Sequence, residues 1–227
     1  MPAEEKQLLQ WATAVNTDAD ATQNYQITIP IGYEMSRGFN NGQRIGEEIN
    51  LKEYNIHMAF HSDDQGTDTV NSIQWRVIWF WDTQSEPGRN VNSWAAEMAG
   101  FHDPPNPNTP SYLLRPTFIT PLPDSPTTPV RCMLAAYQSD TTRCKILDDR
   151  IIDLNSNDGD TGHVYAITYS FPMGGHIQRW RTTNNPAEIN TVNGVLGVAM
   201  IPIYNNSNAN RAQWFVHINA ELLYCDQ

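Results

Sequence analysis

The stretch Ile73-Gln-Trp-Arg-Val-Ile-Trp-Phe-Trp-Asp82 decides the fold. Side chains of a strand alternate between its two faces. Ile73, Trp75, Val77, Trp79 and Trp81 therefore share one face, and Gln74, Arg76, Ile78, Phe80 and Asp82 share the other. Large apolar groups occur on both faces toward the end of the run. That pattern predicts a central strand covered on both sides.

Strand signals continue on either side of this run. Upstream, Tyr25, Ile27, Ile29 and Ile31 alternate with polar residues, and Pro30 places that strand at a sheet edge or at its own end. Over residues 48–60, Ile49 and Leu51 keep one parity while Tyr54, Ile56, Met58 and Phe60 keep the other. One extra residue near Lys52–Glu53, a β-bulge or bend, reconciles them. Downstream, strands are expected at Val130–Tyr137, Lys145–Leu154, His163–Phe171, Val195–Tyr204 and Gln213–Tyr224. In the last of these, Trp214, Val216, Ile218, Ala220, Leu222 and Tyr224 face the core.

Residues 83–129 hold ten of the 15 prolines, and a brief helix is expected there, capped by Asn92 or Ser93 and closed by Gly100. Long connections of this kind within a compact domain usually bind something. The first fifteen residues read as a short helix. Pro2 suits its start, Glu4 and Glu5 suit its dipole, and Leu8, Leu9, Ala12 and Val15 recur at helical spacing. Eight strands without a crossover helix predict an all-β fold, a single eight-stranded antiparallel jelly-roll sandwich. Residues 1–20 form its N-terminal helical segment, residues 21–227 are the jelly roll, and the proline-rich stretch is a long inter-strand insertion.

Composition agrees. Of 227 residues, 40% are hydrophobic and 17% charged, with 22 Asn, 13 Gly and 15 Pro, which fits strands joined by ordered loops and excludes a coiled coil or a collagen. The net charge is -11, and Glu4, Glu5, Asp18 and Asp20 outweigh Lys6 in the first twenty residues, so no basic footprint for nucleic acid is present. No apolar run is long enough for a membrane-spanning helix. Glu4 and Glu5 stand where a signal peptide would be basic. The three cysteines, Cys132, Cys144 and Cys225, read as buried thiols of a reduced compartment.

The search for catalytic chemistry finds no constellation. His57 and His61 lie on one strand face roughly 13 Å apart, too far to share a metal. The run Asp153–Asp160 is rich in oxygen ligands, but its glycine falls one position late and Val164 stands where an EF-hand needs Glu. Asp148, Asp149 and Asp153 read as a solvated strand face, with an intersubunit cation site as the alternative. Gly174–Gly175 reads as a turn. Neither a Gly-x-Ser-x-Gly elbow nor a phosphate loop occurs. The chain is therefore read as no enzyme and as having no metal or cofactor set of its own.

Three stretches carry a resemblance: Asn41-Gly-Gln-Arg-Ile-Gly-Glu-Glu-Ile-Asn-Leu-Lys-Glu-Tyr-Asn-Ile56, the tryptophan-rich run Ile73–Asp82, and Arg143-Cys-Lys-Ile-Leu-Asp-Asp-Arg-Ile-Ile-Asp-Leu154. In this order and spacing, across residues 40–155, the chain resembles the single jelly-roll capsid proteins of small icosahedral viruses. The coats of satellite tobacco necrosis virus and of circular single-stranded DNA viruses are the nearest in kind. The resemblance implies a virion coat protein assembled inside the host cell. It would self-assemble as a shell of about sixty copies around viral RNA or single-stranded DNA, with no membrane partner and with a divalent cation such as calcium as a candidate at subunit interfaces.

The chain departs from that pattern at its N-terminus, where such coats carry a basic arm and this one is acidic. Genome binding would then fall to a few inward residues, of which Arg131, Arg143, Lys145 and Arg150 are the densest group. The plainer account pairs these residues with Asp148, Asp149 and Asp153. A competing function is a non-viral jelly-roll module, either carbohydrate-binding or a trimeric ligand-binding one, with Trp94, Trp180 and Tyr112 in loops stacking on sugars.

Overall fold

A computed structural model of the chain describes residues 5–16, 27–63, 72–99, 143–155, 164–182, 185–204 and 213–226. Among these residues eight strands are seen: β1 (Glu5–Asn16), β2 (Ile27–Ile31), β3 (Glu48–Asp63), β4 (Ser72–Asp82), β5 (Cys144–Asn155), β6 (Val164–Arg179), β7 (Val195–Tyr204) and β8 (Gln213–Asp226). One helix, α1 (Val91–Ala99), lies between β4 and β5. The strands form two antiparallel four-stranded sheets, ordered β1-β8-β3-β6 and β2-β7-β4-β5. The chain changes sheet at every connection except β4 to β5. This strand order is that of a jelly roll.

The deciding stretch behaves as its alternation requires. β4 lies between β7 and β5. Its Trp75, Val77, Trp79 and Trp81 join the core between the sheets, where they meet Tyr54, Ile56, Met58 and Phe60 of β3 and Val216, Ile218, Ala220, Leu222 and Tyr224 of β8. Ile78 and Phe80 point the other way, into a second cluster with Trp94 and Met98 of α1 and Val195 and Ala199 of β7. The rings of Phe80 and Trp94 stack at 5.9 Å. Gly197 on β7 makes that approach feasible, since a Cβ there would stand 2.5 Å from the Phe80 ring.

The bulge falls where the parity change places it. Pairing of β3 with both β6 and β8 shifts between Leu51 and Glu53. Opposite it, Gly174 (φ 61) and Gly175 (φ 81) take up the extra length within β6. These glycines are thus part of a bulge and do not form a turn between elements. β2, which carries Pro30, is an edge strand.

Two expectations need correction. Residues 5–16 are strand β1, with no helix among them. Every residue from Glu5 to Asn16 pairs with β8. A lone helix of this length is marginal in water, whereas a strand docked on β8 gains a ladder and buries one face. Leu8 packs on the core while Leu9 stays 55% exposed. Second, the helix cap is Asn90, whose Oδ1 accepts the N–H of Asn92 at 2.9 Å. The expected strand Val130–Tyr137 lies outside the described residues, as do Gly100 and most of the proline-rich insertion.

His176 gives the core a pH-dependent member. It leans edge-on against Trp81, with centroids 5.3 Å apart, and its Nε2 is buried with no partner among the described residues. Burial holds its pKa below the ordinary histidine value. The unfolded chain then takes up the proton more readily, so this residue's contribution is complete above the ordinary pKa and is lost as pH falls below it. The urea midpoint should fall further between about pH 7.5 and about pH 5.5 in the native chain than in His176→Phe. Equal falls would contradict this assignment.

Candidate assembly surface

The connections β2–β3 and β6–β7 and the described part of β4–β5 gather at one end of the sandwich. Two buried arginines organise that end. Arg44 is fully buried, donating from Nε to the Met35 carbonyl at 3.3 Å and from Nη2 to the Arg181 carbonyl at 2.9 Å. Its guanidinium lies 5.5 Å from the centre of the Trp180 ring. Burial and the Arg37 charge lower its pKa, while Glu47 and Asp226 oppose them. Three carbonyls accept from this one group, the third being that of Gly46. The loop before it is held accordingly.

That loop is a tight turn closed by a parallel bridge between Arg37 and Arg44. Gly38 N–H donates to the Arg44 carbonyl and Arg44 N–H to the Ser36 carbonyl, both at 3.0 Å. Gln43 N–H donates to the Asn40 carbonyl at 3.1 Å, and Asn40 N–H donates to Gln43 Oε1 at the same distance. The loop is fastened to β1, where Gln7 N–H donates to Asn41 Oδ1 at 2.9 Å and Lys6 Nζ to the Gln43 carbonyl at 3.2 Å. At its tip Phe39 is 86% exposed, the most exposed of the large apolar side chains described.

The second arginine is Arg143. Asp82, at the end of β4, is fully buried. Its carboxylate accepts from Arg143 Nε at 3.0 Å, from Arg143 Nη2 at 3.2 Å, from Trp94 Nε1 at 2.8 Å and from Gln84 N–H at 3.0 Å. Arg143 also donates to both oxygens of Glu97, at 3.1 and 3.3 Å. Glu97 in turn pairs with Arg89. Burial alone would lower the Arg143 pKa, but its bonds to Asp82 and Glu97 and their charges push it up. The network ties β4, β5 and α1 together.

The edge strands β5 and β6 belong to different sheets and flank a cleft of about 390 Å³. Leu147, Tyr169, Phe171, Pro172 and Met173 line it. Tyr169 and Phe171 stack at 5.9 Å, and Trp79 touches both from below. At the rim the Arg150 guanidinium sits 5.1 Å from the Tyr169 ring centre, and its Nε is 2.7 Å from Asp148 Oδ2. Burial, and next the Asp148 charge, push the Tyr169 hydroxyl up to about 12.

Of the four candidate nucleic-acid residues, the three that are described do not form one patch. Arg131 lies outside the described residues. Arg143 is buried in the Asp82 network. Lys145 is exposed, and Arg150 is half exposed at the cleft rim, five residues further along β5 or roughly 17 Å. Of the acidic residues offered as partners, Asp148 pairs with Arg150, whereas Asp149 takes Arg76 through bonds of 2.9 and 2.7 Å. Two of the three aromatics offered for sugar stacking, Trp94 and Trp180, are buried against α1's cluster and Arg44 respectively; Tyr112 lies outside the described residues. Cys144 is a buried free thiol and Cys225 a half-buried one. His57 bonds Thr168 at 3.0 Å, and no group of three or more metal-ligating side chains gathers among the described residues. No helix among them is long and apolar enough to cross a membrane.

No family model matches this sequence, and no curated protein matches it. Solved structures show distant likenesses. That of Mud crab tombus-like virus is 8% identical at a TM-score of 0.37, covering 99% of this chain and 82% of its own. Sacbrood virus of honeybee is 11% identical at 0.34, covering 100% and 71%. Cucumber leaf spot virus is 13% identical at 0.34, covering 98% and 57%. All three are viral structures. The jelly-roll assignment rests on the strand order described above.

Proposed function

We propose that this chain is a structural protein, the coat subunit of a small virus, which self-associates as about sixty copies into a closed icosahedral shell around a small genome. The observation that carries the reading is the strand order. It places the three stretches of the resemblance on β3, β4 and β5 of a jelly roll, with a helical insertion between the second and third. The ion pairs beneath the loops at one end support it further, because loops fixed in the free subunit meet a neighbour at low ordering cost. With a net charge of -11, subunit contacts depend on apolar surface, on salt or on a divalent cation such as calcium. Sedimentation velocity across salt and calcium concentrations tests this. A fast-sedimenting closed particle under some of these conditions is expected, and a monomer or trimer under all of them would contradict the reading.

Genome contact, on this reading, is weak. Lys145, Arg150 and Arg131 are its candidates, and Arg143 is spent on Asp82 and Glu97. Lys145→Gln combined with Arg150→Gln should lower the nucleic acid held per particle without preventing assembly. An unchanged absorbance ratio of purified particles would move that role to counterions or to a separate basic protein.

A further inference from the structure

We propose that Asn41 is a site of spontaneous deamidation, at which the folded chain turns an asparagine into aspartate and isoaspartate while the equivalent Asn193 stays intact. The inference is independent of the shell reading and concerns the loop that is fastened to β1.

Asparagine followed by glycine is the pair most prone to this chemistry. The next main-chain nitrogen can close a ring on the side-chain carbonyl carbon, and glycine carries no Cβ to hinder it. The sequence holds two such pairs, Asn41-Gly42 and Asn193-Gly194. By sequence the two are equal. The fold separates them.

Asn193 is held both at its side-chain amide and at the nitrogen that would attack it. Its Oδ1 accepts from Gln178 Nε2 at 3.0 Å and from the Arg179 N–H at 2.8 Å, and its Nδ2 donates to the Ile177 carbonyl at 2.6 Å. Gly194 N donates to Ser85 Oγ at 3.1 Å. Gly194 is also pressed against the Trp81 indole, since a Cβ added there would stand 2.4 Å from Nε1. An N–H with a buried acceptor reaches solvent only through local opening.

Asn41 lacks this closure. It is exposed, and its side chain makes one bond, with Oδ1 accepting from Gln7 N–H at 2.9 Å. Its Nδ2 and the Gly42 N–H have no partner among the described residues. A Cβ at Gly42 would meet nothing nearer than the Gln7 carbonyl oxygen at 3.5 Å, which leaves the backbone room to turn. The single bond falls on the carbonyl oxygen. There it draws electron density from the carbon to be attacked and leaves the departing nitrogen unheld.

The steps balance with water as the co-reactant. Hydroxide takes the Gly42 amide proton, the nitrogen bonds to Asn41 Cγ, and the Cγ–Nδ2 bond breaks as ammonia leaves, protonated by solvent. Water then opens the succinimide. Attack at Cγ gives aspartate with the main chain restored, and attack at the main-chain carbonyl carbon gives isoaspartate, with the chain rerouted through the side chain. Aspartate keeps an oxygen for the Gln7 N–H. Isoaspartate carries its carboxylate on Cα, which unfastens the loop from β1 at this point.

The test incubates the purified chain, folded and in urea, at mildly alkaline pH and maps its peptides by mass. An isoaspartate-specific methyltransferase gives a second readout. In the folded chain Asn41 should convert at least about tenfold faster than Asn193, and in urea the two should convert at similar rates. The methyl label should enter the peptide of folded protein that carries residue 41 and not the one that carries residue 193. An Asn41 that stays intact in the folded chain would overturn the proposal, and so would an Asn193 that keeps pace with it.

Discussion

Asp82→Ala should lower folding stability by about 3–5 kcal/mol, the cost of stranding one partner of a buried ion pair. The carboxylate has four donors in this structure, and none has an equivalent substitute. Arg143, only 6% exposed, would keep Glu97 but lose its bonds to Asp82. Trp94 Nε1, inside the cluster beneath α1, would lose its only described acceptor. Asp82→Asn should cost less, because a neutral oxygen still accepts from Trp94 and the shape is kept. Urea unfolding of both variants against the native chain measures this, and a loss below about 1 kcal/mol for Asp82→Ala would mean that the network adds nothing net. Because Trp94 and Phe80 stack across this junction, α1 should loosen before the sheets do. Faster amide exchange in α1 than in β3 would report that order.

Trp79→Ala should cost a similar amount, about 3–5 kcal/mol, by a different route. Trp79 is fully buried on the inner face of β4 and reaches Tyr169 and Phe171 of the opposite sheet at 5.3 and 5.5 Å. Removing the indole leaves a cavity that a backbone paired on both sides cannot close. The loss should appear in the denaturation midpoint with the slope unchanged. Phe39→Ala removes an aromatic ring of comparable apolar character and should leave the same midpoint where it was. The contrast separates a residue that holds the subunit together from one that lies on its surface.

The sequence carried the architecture wherever side-chain alternation was strong. Trp75, Val77, Trp79 and Trp81 against Ile78 and Phe80 specify a strand covered on both faces, and the parity change around Lys52 located a bulge to the residue. The N-terminal segment was misleading for a physical reason. Leu8, Leu9, Ala12 and Val15 satisfy helical spacing, and only pairing with β8, at the far end of the sequence, makes it a strand. Long-range ion pairs were equally illegible. Asp82 and Arg143 are 61 positions apart, with the proline-rich insertion between them. A cluster of basic residues around 143–150 consequently read as one surface, although its first member is buried. Trp94 and Trp180 misled in the same way, since an aromatic residue in a loop region gives no sign of whether a helix or an arginine covers it. Phe39 gave no signal, because nothing in Arg37-Gly-Phe-Asn-Asn41 distinguishes an exposed tip from an ordinary turn.

The central claim is that this jelly roll exists to close a shell. Negative-stain electron microscopy of the purified chain, with the ultraviolet absorbance ratio read on the same fraction, tests it most directly. The account predicts uniform closed spheres with little nucleic acid held by so acidic a subunit. Monomers or trimers that remain small across salt, calcium and pH would contradict it.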